Sequence, residues 1–419
     1  MELKKGYKQT EIGAIPEDWD VKQLGEIGEC VIGLTYKPSD VKSDGLLVLR
    51  SSNVDDGKLK FDDNVFVDVA IPEKLIARKD DLLVCVRNGS RALIGKCALI
   101  DETVEGMTFG AFMSVFRTEY SRFVFHQFQS SLVKRQIHEN IGATINQITN
   151  KNLNSFKIPF PKSKKEQRVI AAALSDVDAL LTALDALIAK KRNIKQGAMQ
   201  DLLAGKRRLP GFSEEWKTRT IGEMFQFLST ANNSRSELSD NGNVNYIHYG
   251  DIHVRWKSFL DCDREVLPFI DDDKVKNNPL LEDSDLVMAD ASEDYGGIGV
   301  SVEIKNIGNR KIIAGLHTLL LRGNKDLLAD GFKGYLQYIP SFKNALIKVT
   351  VGISVYGISK NNIKGISIAL PDVPEQHAIV EILSDMDAEI AALEQRREKT
   401  RLLKQGMMQE LLTGRIRLV

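Results

Sequence analysis

Residues Glu166–Leu209 and Glu375–Leu418 are two copies of one segment, and no other feature of the chain restricts its fold as much. They align without a gap, roughly half of their positions are identical, and they share the words EQ, LSD-x-DA, KQG-x-MQ, LL and G-x-x-RL. Self-similarity on this scale means that one structural plan is used twice. Ile170, Leu174, Val177, Leu181, Leu184 and Ile188 recur at alternating spacings of four and three, and Ile379, Leu383, Met386, Ile390 and Leu393 keep the same seam. That is the a/d heptad stripe by which one helix packs along another. No proline interrupts Glu166–Leu209, and Gly205 and Gly414 stand where such helices would stop. A helix of about forty residues spans about 60 Å. Neither helix can bury its stripe alone. The two copies are therefore expected to pack on each other, the alternative being that each docks on its own globular half.

The segments before the helices also match. Glu17-Asp18-Trp19 followed by Leu24-Gly25-Glu26 returns as Glu214-Glu215-Trp216 followed by Ile221-Gly222-Glu223. Joining Val419 to Met1 would recreate the order helix, linker, E-x-W, strand, so the sequence reads as a two-unit ring cut open. Between these markers lie short apolar runs broken by Gly, Asn and Asp, the pattern of strands and turns. Scaffold positions recur, Asp81-Leu82 with Asp285-Leu286, Asn152 with Asn362 and Pro161 with Pro371, whereas loop residues do not. Binding residues sit mostly on loops, so a shared frame with different loops suits two different ligands of one class. The expected class is α+β: two β-rich domains, 1–162 and 210–371, joined by two long antiparallel helices, 163–209 and 372–419, with a pseudo-twofold internal repeat.

A length of 419 residues suits two or three domains, and 57 Lys plus Arg balance 57 Asp plus Glu. Nothing in that balance marks a protein that grips nucleic acid unaided. The clearly basic region is the first repeat helix, at Lys162–Arg168, Lys190–Arg192 and Lys206–Arg208, and a solvated helical face accounts for it. Cys30, Cys85, Cys97 and Cys262 have no C-x-x-C pairing, which points to a reducing compartment. The N-terminal MELKKGYKQTEIG has no apolar signal core, and no apolar run reaches the length of a membrane span, so a cytoplasmic location is expected.

No catalytic constellation is present. Gly89–Cys97 has one spacer too many for a phosphate loop, and Cys97 stands where the magnesium-binding hydroxyl belongs. Tyr295-Gly296-Gly297-Ile298-Gly299 reads as a hairpin turn. His248 and His253, placed on a strand, lack the further ligands of a metal site. Asp271-Asp272-Asp273-Lys274 follows Pro268 in a polar run and reads as a solvated loop. The Asn/Asp-Pro-Pro-aromatic tetrapeptide of amino-methyltransferases does not occur.

GYKQTEIGAIPEDWDVKQLGEI at the start, the entries Pro161-to-Glu166 and Pro371-to-Glu375, and the pair KQGAMQDLLAGKRRL and KQGMMQELLTGRIRL resemble those of the specificity (S) subunits of type I restriction-modification systems. The resemblance covers essentially the whole chain. It implies a non-catalytic reader of double-stranded DNA in which each β-rich target recognition domain reads one half of a bipartite site. The helices would set the spacing and dock two methyltransferase subunits, and restriction-translocase subunits would join that complex. S-adenosylmethionine, ATP and magnesium are then expected on the partners, with no cofactor, metal or catalytic residue in this chain. Exposed helix stripes leave room for self-association of the isolated subunit.

Base reading in the major groove uses Arg or Lys on guanine and Asn or Gln on adenine. On that chemistry the first domain's candidates are Arg50, Ser51 and Asn53, then Arg87, Asn88, Ser90 and Arg91, then Thr144, Asn146 and Gln147. In the second domain they are His248, Tyr249 and Asp251, Arg255 and Trp256, Ser292 and Tyr295, and, within Ser354–Lys360, Tyr356, Ser359 and Lys360. Two rival classes remain open: a coiled-coil adaptor whose β domains bind ligands other than DNA, and a self-contained restriction or methylation enzyme, which the missing catalytic motifs oppose.

Overall fold

The heptad stripes fold as continuous helices, Lys164–Leu203 of 40 residues and Val373–Leu411 of 39. Each begins on a side-chain cap, Ser163 Oγ accepting from Glu166 N and Asp372 Oδ1 from Glu375 N. The repeated glutamines then bind back to the chain that enters the helix: Gln167 Nε2 donates to Pro161 O at 2.7 Å and Gln376 Nε2 to Pro371 O at 2.9 Å. Both helices end just before a glycine with positive φ, +67° at Gly205 and +73° at Gly414. Space is also short for a side chain, more so at Gly414 than at Gly205. A Cβ at Gly205 would lie 3.3 Å from the Trp216 ring, and one at Gly414 would lie 2.5 Å from Pro16.

This computed structural model describes residues 5–142, 145–352 and 355–419, in two units: Met1–Asp185 with Gln395–Val419, and Ala186–Glu394. Each unit thus holds the first part of one long helix and the last part of the other. In the first unit Asp178 pairs with Lys404 at 2.6 Å, and Asp185 with Arg397. In the second, Lys191 pairs with Glu389 at 2.7 Å and Lys195 with Asp387 at 2.6 Å, and Arg192 meets Glu394. From Asp178–Lys404 to Lys195–Asp387 partner numbers fall overall as helix numbers rise, so the helices pack together antiparallel.

The first unit has a four-stranded antiparallel sheet in the order Cys97–Leu99, Leu82–Cys85, Met113–Arg117, Glu29–Ile32. A second sheet runs Thr108–Phe109, Leu46–Leu49, Phe66–Val67, Val41–Lys42. The second unit repeats that plan as Ser301–Lys305, Leu286–Ala289, Thr318–Gly323, Phe225–Leu228, extended at one edge by Phe259–Asp261. Its smaller sheet is Phe269–Ile270, Val244–Ile247, Lys311–Ala314. The repeated Asp enters the second strand of each larger sheet through one device. Asp81 accepts from Arg78 N and binds Arg117 at 3.1 Å, while Asp285 accepts from Glu282 N and binds Arg322 at 2.8 Å.

Burial divides the helix stripes. Ile170 and Leu174 join the first unit's core with Trp19, Phe123 and Phe160, beside Met408, Leu411 and Leu412 from the other helix. Ile379 and Leu383 join the second unit's core with Tyr335 and Phe332, beside Leu202 and Leu203, and Met386 packs on its edge. Leu184, Ile188 and Ile390 are also buried, and Val177, Leu181 and Leu393 are half-buried. Helix ends therefore serve the globular cores while the middles carry the ion pairs.

Two local expectations are corrected. His248 does not lie on a strand; the strand stops at Ile247, and the His248 side chain caps the short helix Tyr249–Val254. Asp271–Lys274 is no open loop, because Asp271 caps a helical turn, Asp272–Val275, by accepting from Asp273 N. Elsewhere, Thr108–Phe109 and Met113–Arg117 form two strands separated by Gly110–Phe112. Side-chain capping competes with the ladder at the first two sites, as Asp and His can do where apolar alternation ends.

Candidate nucleic-acid interface

In the first unit three segments are tied together by their backbones. Val86 N and Arg87 N both donate to Phe112 O, at 3.0 and 3.1 Å, and Ile148 N donates to Val86 O at 2.9 Å. Asn88 N donates to Asn146 O at 3.2 Å, and Arg87 bridges antiparallel to Gln147. Side chains close the cluster: Asn88 Nδ2 donates to Ser51 Oγ at 2.9 Å and Asn146 Nδ2 to Gly89 O at 2.9 Å. The candidates at 50–53, 87–91 and 146–147 therefore form one surface. Arg87 and Ser90 are exposed upon it, as is Arg91, whose guanidinium donates to His138 O at 3.2 Å. Arg50 is held by Asp63 at 2.7 Å. Thr144, like Ser354 of the other unit, lies outside the described residues.

The second unit rebuilds the frame. Asp290 N donates to His317 O, Ile358 N to Asp290 O, and Ala291–Ser292 pairs with Tyr356–Gly357. Asp290 thus stands where Val86 does, Ala291 where Arg87 does, and His317 where Phe112 does. What the frame displays is different. Tyr249 lies among the rings of His248, His253 and His317, with centroids 4.7, 6.1 and 5.3 Å away. Exposed Tyr295 stacks on Tyr356 at 4.1 Å. Lys360 donates to Phe227 O at 3.2 Å, and Ser359 caps the helix Lys360–Lys364. Arg255 is neutralised by Glu265 at 2.6 Å.

Several candidates are buried. Asn53 is fully buried: its amide nitrogen donates to Lys60 O and Asn64 Oδ1, and its oxygen accepts from Arg50 N. Trp256 is buried under the Arg255 guanidinium. Asp251 is buried against Arg235 at 3.0 Å, and Ser292 is buried as well. His248 is buried and accepts from Gly250 N at 3.1 Å; burial first, then the Arg235 charge, lowers its pKa and keeps it neutral. These five side chains hold the loops in shape. Conversely, Phe112, 51% exposed, and His317, at φ +57°, stand on the surfaces without having been singled out. Both fall inside apolar runs, and the alignment of the two halves was the signal that could have found them.

The helix repeats have their own site. Glu166 is buried and accepts from Trp19 Nε1 at 3.2 Å and from Arg417 Nη2 at 2.9 Å, with Arg417 lying 5.6 Å over the Trp19 ring. Glu375 is buried likewise, accepting from Trp216 Nε1 at 3.1 Å and twice from Arg208 at 2.7 Å, with Arg208 5.7 Å over Trp216. The E-x-W starts, the EQ words and the terminal arginines are thus parts of one joint made twice. LSD-x-DA and KQG also meet: the second Asp of one copy binds the Lys of the other, at Asp178–Lys404 and Lys195–Asp387. In the basic clusters Lys164, Lys191, Arg192 and Arg208 are ion-paired, to Glu119, Glu389, Glu394 and Glu375.

No group of His, Cys, Asp or Glu among the described residues could hold a metal ion, and no helix among them is long and apolar enough to cross a membrane. Such surfaces can present hydrogen-bonding and stacking groups to a ligand.

Comparison with known proteins agrees with this plan. The model of the type I restriction modification DNA specificity domain matches residues 16–196 and 213–403. The type I restriction enzyme EcoKI specificity subunit of Escherichia coli K12 is 27% identical over 405 residues, covering 88% of this chain and 82% of its own. The crystal structure of the S subunit from M. genitalium superposes with a TM-score of 0.54 at 14% identity, covering 98% of each chain. A structure concerned with complex assembly and conformational transition of a type I system gives 0.60 at 16% identity, covering 96% of this chain and 99% of that one.

Proposed function

Since this chain belongs to the type I restriction-modification DNA specificity family, being a specificity subunit with two target recognition domains and no catalytic site of its own, we propose that each unit's three-segment surface reads one half of a bipartite, asymmetric DNA site. One observation carries this: the same backbone frame is built twice and given different side chains, Arg87, Asn88 and Phe112 in one unit and Ala291, Tyr249 and His317 in the other. Adjacent major-groove faces on one side of a duplex repeat about every 34–36 Å, so two readers on one chain suit a bipartite site.

The same pair is the proposed dock for two methyltransferase subunits, which would bring S-adenosylmethionine and the adenine chemistry. Restriction-translocase subunits, with ATP and magnesium, would complete a cytoplasmic complex. Two positions support a repeated dock. Gly197 and Gly406 sit inside the long helices at equivalent places, where a Cβ would meet nothing within 4 Å. A mid-helix glycine destabilises by about 0.5–1 kcal/mol relative to alanine, and this fold gains nothing from either one. Beside them Ile194 and Leu403 are 46% and 59% exposed. Close approach of the same partner to both helices would account for the pattern.

The test is methylome sequencing of a host with and without this gene, its partner genes present. One bipartite, non-palindromic motif should vanish with the gene. A motif that persists, or one that is continuous and palindromic, would refute the assignment.

A further inference from the structure

The cationic side chains of the two reading surfaces are nearly all engaged within the protein. Arg50 is bound to Asp63, Arg91 to His138 O, Arg235 to Asp251, Arg255 to Glu265 and Lys360 to Phe227 O. Arg87 differs. Its guanidinium makes no hydrogen bond or ion pair among the described residues and instead lies 4.9 Å over the ring of exposed Phe112. Its backbone is fixed on both sides, by the hydrogen bond to Phe112 O and the bridge to Gln147.

Resting on the reading that this surface contacts a DNA half-site, we propose that Arg87 reads a guanine there and that Phe112 is its positioning residue. A guanidinium offers parallel donors that match guanine O6 and N7 in the major groove. Stacking on an aromatic face restricts the long side chain while leaving every N–H free for the base. Ordering is thus largely complete before DNA arrives, which reduces the entropy lost on binding. The second unit has Ala291 at the position of Arg87 and His317 at that of Phe112, so this guanine contact belongs to one half-site only.

The experiment uses the full complex with its methyltransferase and reads the methylome of each variant. Arg87→Ala should raise methylation of sites substituted at one G·C pair of one half-site by about ten- to a hundredfold relative to the cognate site, with the other half-site unchanged. Arg87→Gln should shift that position towards adenine. Phe112→Ala should relax the same position to a smaller degree, and Phe112→Tyr should restore it, which a merely structural role for the ring would not produce at a single base pair. Unchanged base preferences in Arg87→Ala and Arg87→Gln would overturn the assignment, as would relaxation at an A·T pair. If Arg87→Ala does not assemble, Arg87→Gln and Phe112→Ala are read at the same position and decide it. A wild-type complex that methylates no bipartite motif would instead refute the functional reading itself.

Discussion

The two units share their joints and differ at their proposed reading surfaces. Trp19, Glu166 and Arg417 are matched by Trp216, Glu375 and Arg208, atom for atom. Yet Arg87 over Phe112 in one unit is answered by Ala291 and His317 in the other. A joint tolerates little change because it buries a carboxylate, which must keep its cation and its N–H donor. A loop tip anchored only through backbone N–H and C=O accepts almost any side chain. Duplication therefore preserves the first and frees the second. That is what a reader of an asymmetric site requires.

The largest expected effect tests the equivalence of the joints. Glu375→Ala leaves Trp216 Nε1 and the Arg208 guanidinium without their acceptor, and a donor left unsatisfied costs about 1–3 kcal/mol. Glu166→Ala should cost less, because Arg417 retains Asp18 at 2.8 Å. Denaturant unfolding of both variants measures the two losses. Equal losses would show that Asp18 contributes nothing, and losses under about 1 kcal/mol would show that neither joint is effectively buried.

A second test uses a place where the units diverge beneath their surfaces. His126 of the first unit lies fully buried with Nε2 3.2 Å from Ser175 Oγ and no hydrogen bond at Nδ1. In the second unit Tyr335 stands beside Ser384, the equivalent serine, at a geometry short of a full hydrogen bond. Burial, then the Lys404 charge, pushes the His126 pKa down from 6.5 to about 3. Between those values the unfolded chain takes up a proton that the folded unit refuses. Stability from neutral His126 is complete above pH 6.5 and is lost as pH falls below it, by about 1.4 kcal/mol per pH unit. The Tyr335 pKa is raised by burial, so that group stays neutral throughout this range. Unfolding free energy measured from pH 6.5 to 5, above the range of most carboxylates, should fall in the native protein and fall less in His126→Phe. Identical slopes would mean that His126 is charged in the fold.

The sequence made the long helices legible because a heptad stripe, two glycine stops and a missing proline all agree. It made the doubling legible because identity within one chain needs no physical inference. The meaning of the shared words was harder to see. LSD-x-DA and KQG suggest a common partner, whereas Asp178–Lys404 and Lys195–Asp387 show that part of each word answers the other copy. Pairing in an antiparallel register links residues about 200 positions apart, as at Lys191–Glu389 with a separation of 198, and no local pattern reports it. The candidate segments are brought together by their backbones, but their side chains divide between exposed and buried. Asn53, Asp251 and Trp256 have the chemistry of base readers and are consumed in holding loops, because burial is decided by neighbours distant in sequence. Phe112 and His317 were hidden by the opposite error, since a polar turn inside an apolar run leaves almost no periodic trace.

The smallest effect concerns the part of the shared words that has no internal partner. If Gly197 and Gly406 were needed by the fold, replacing them would strain it. Neither has a positive φ, and neither has an atom within 4 Å of a would-be Cβ. Gly197→Ala and Gly406→Ala should therefore each stabilise the isolated chain by about 0.5–1 kcal/mol, through lower backbone entropy in the unfolded state. Larger residues should separate stability from assembly. Gly197→Leu should keep the fold and weaken attachment of one methyltransferase subunit, Gly406→Leu the other, and the double variant both, as native mass spectrometry would count. Helices that differ at so many other positions would then be equal where one partner type meets both. Destabilisation by alanine, or full two-subunit loading of the double leucine variant, would return these glycines to the fold and remove them from the proposed dock.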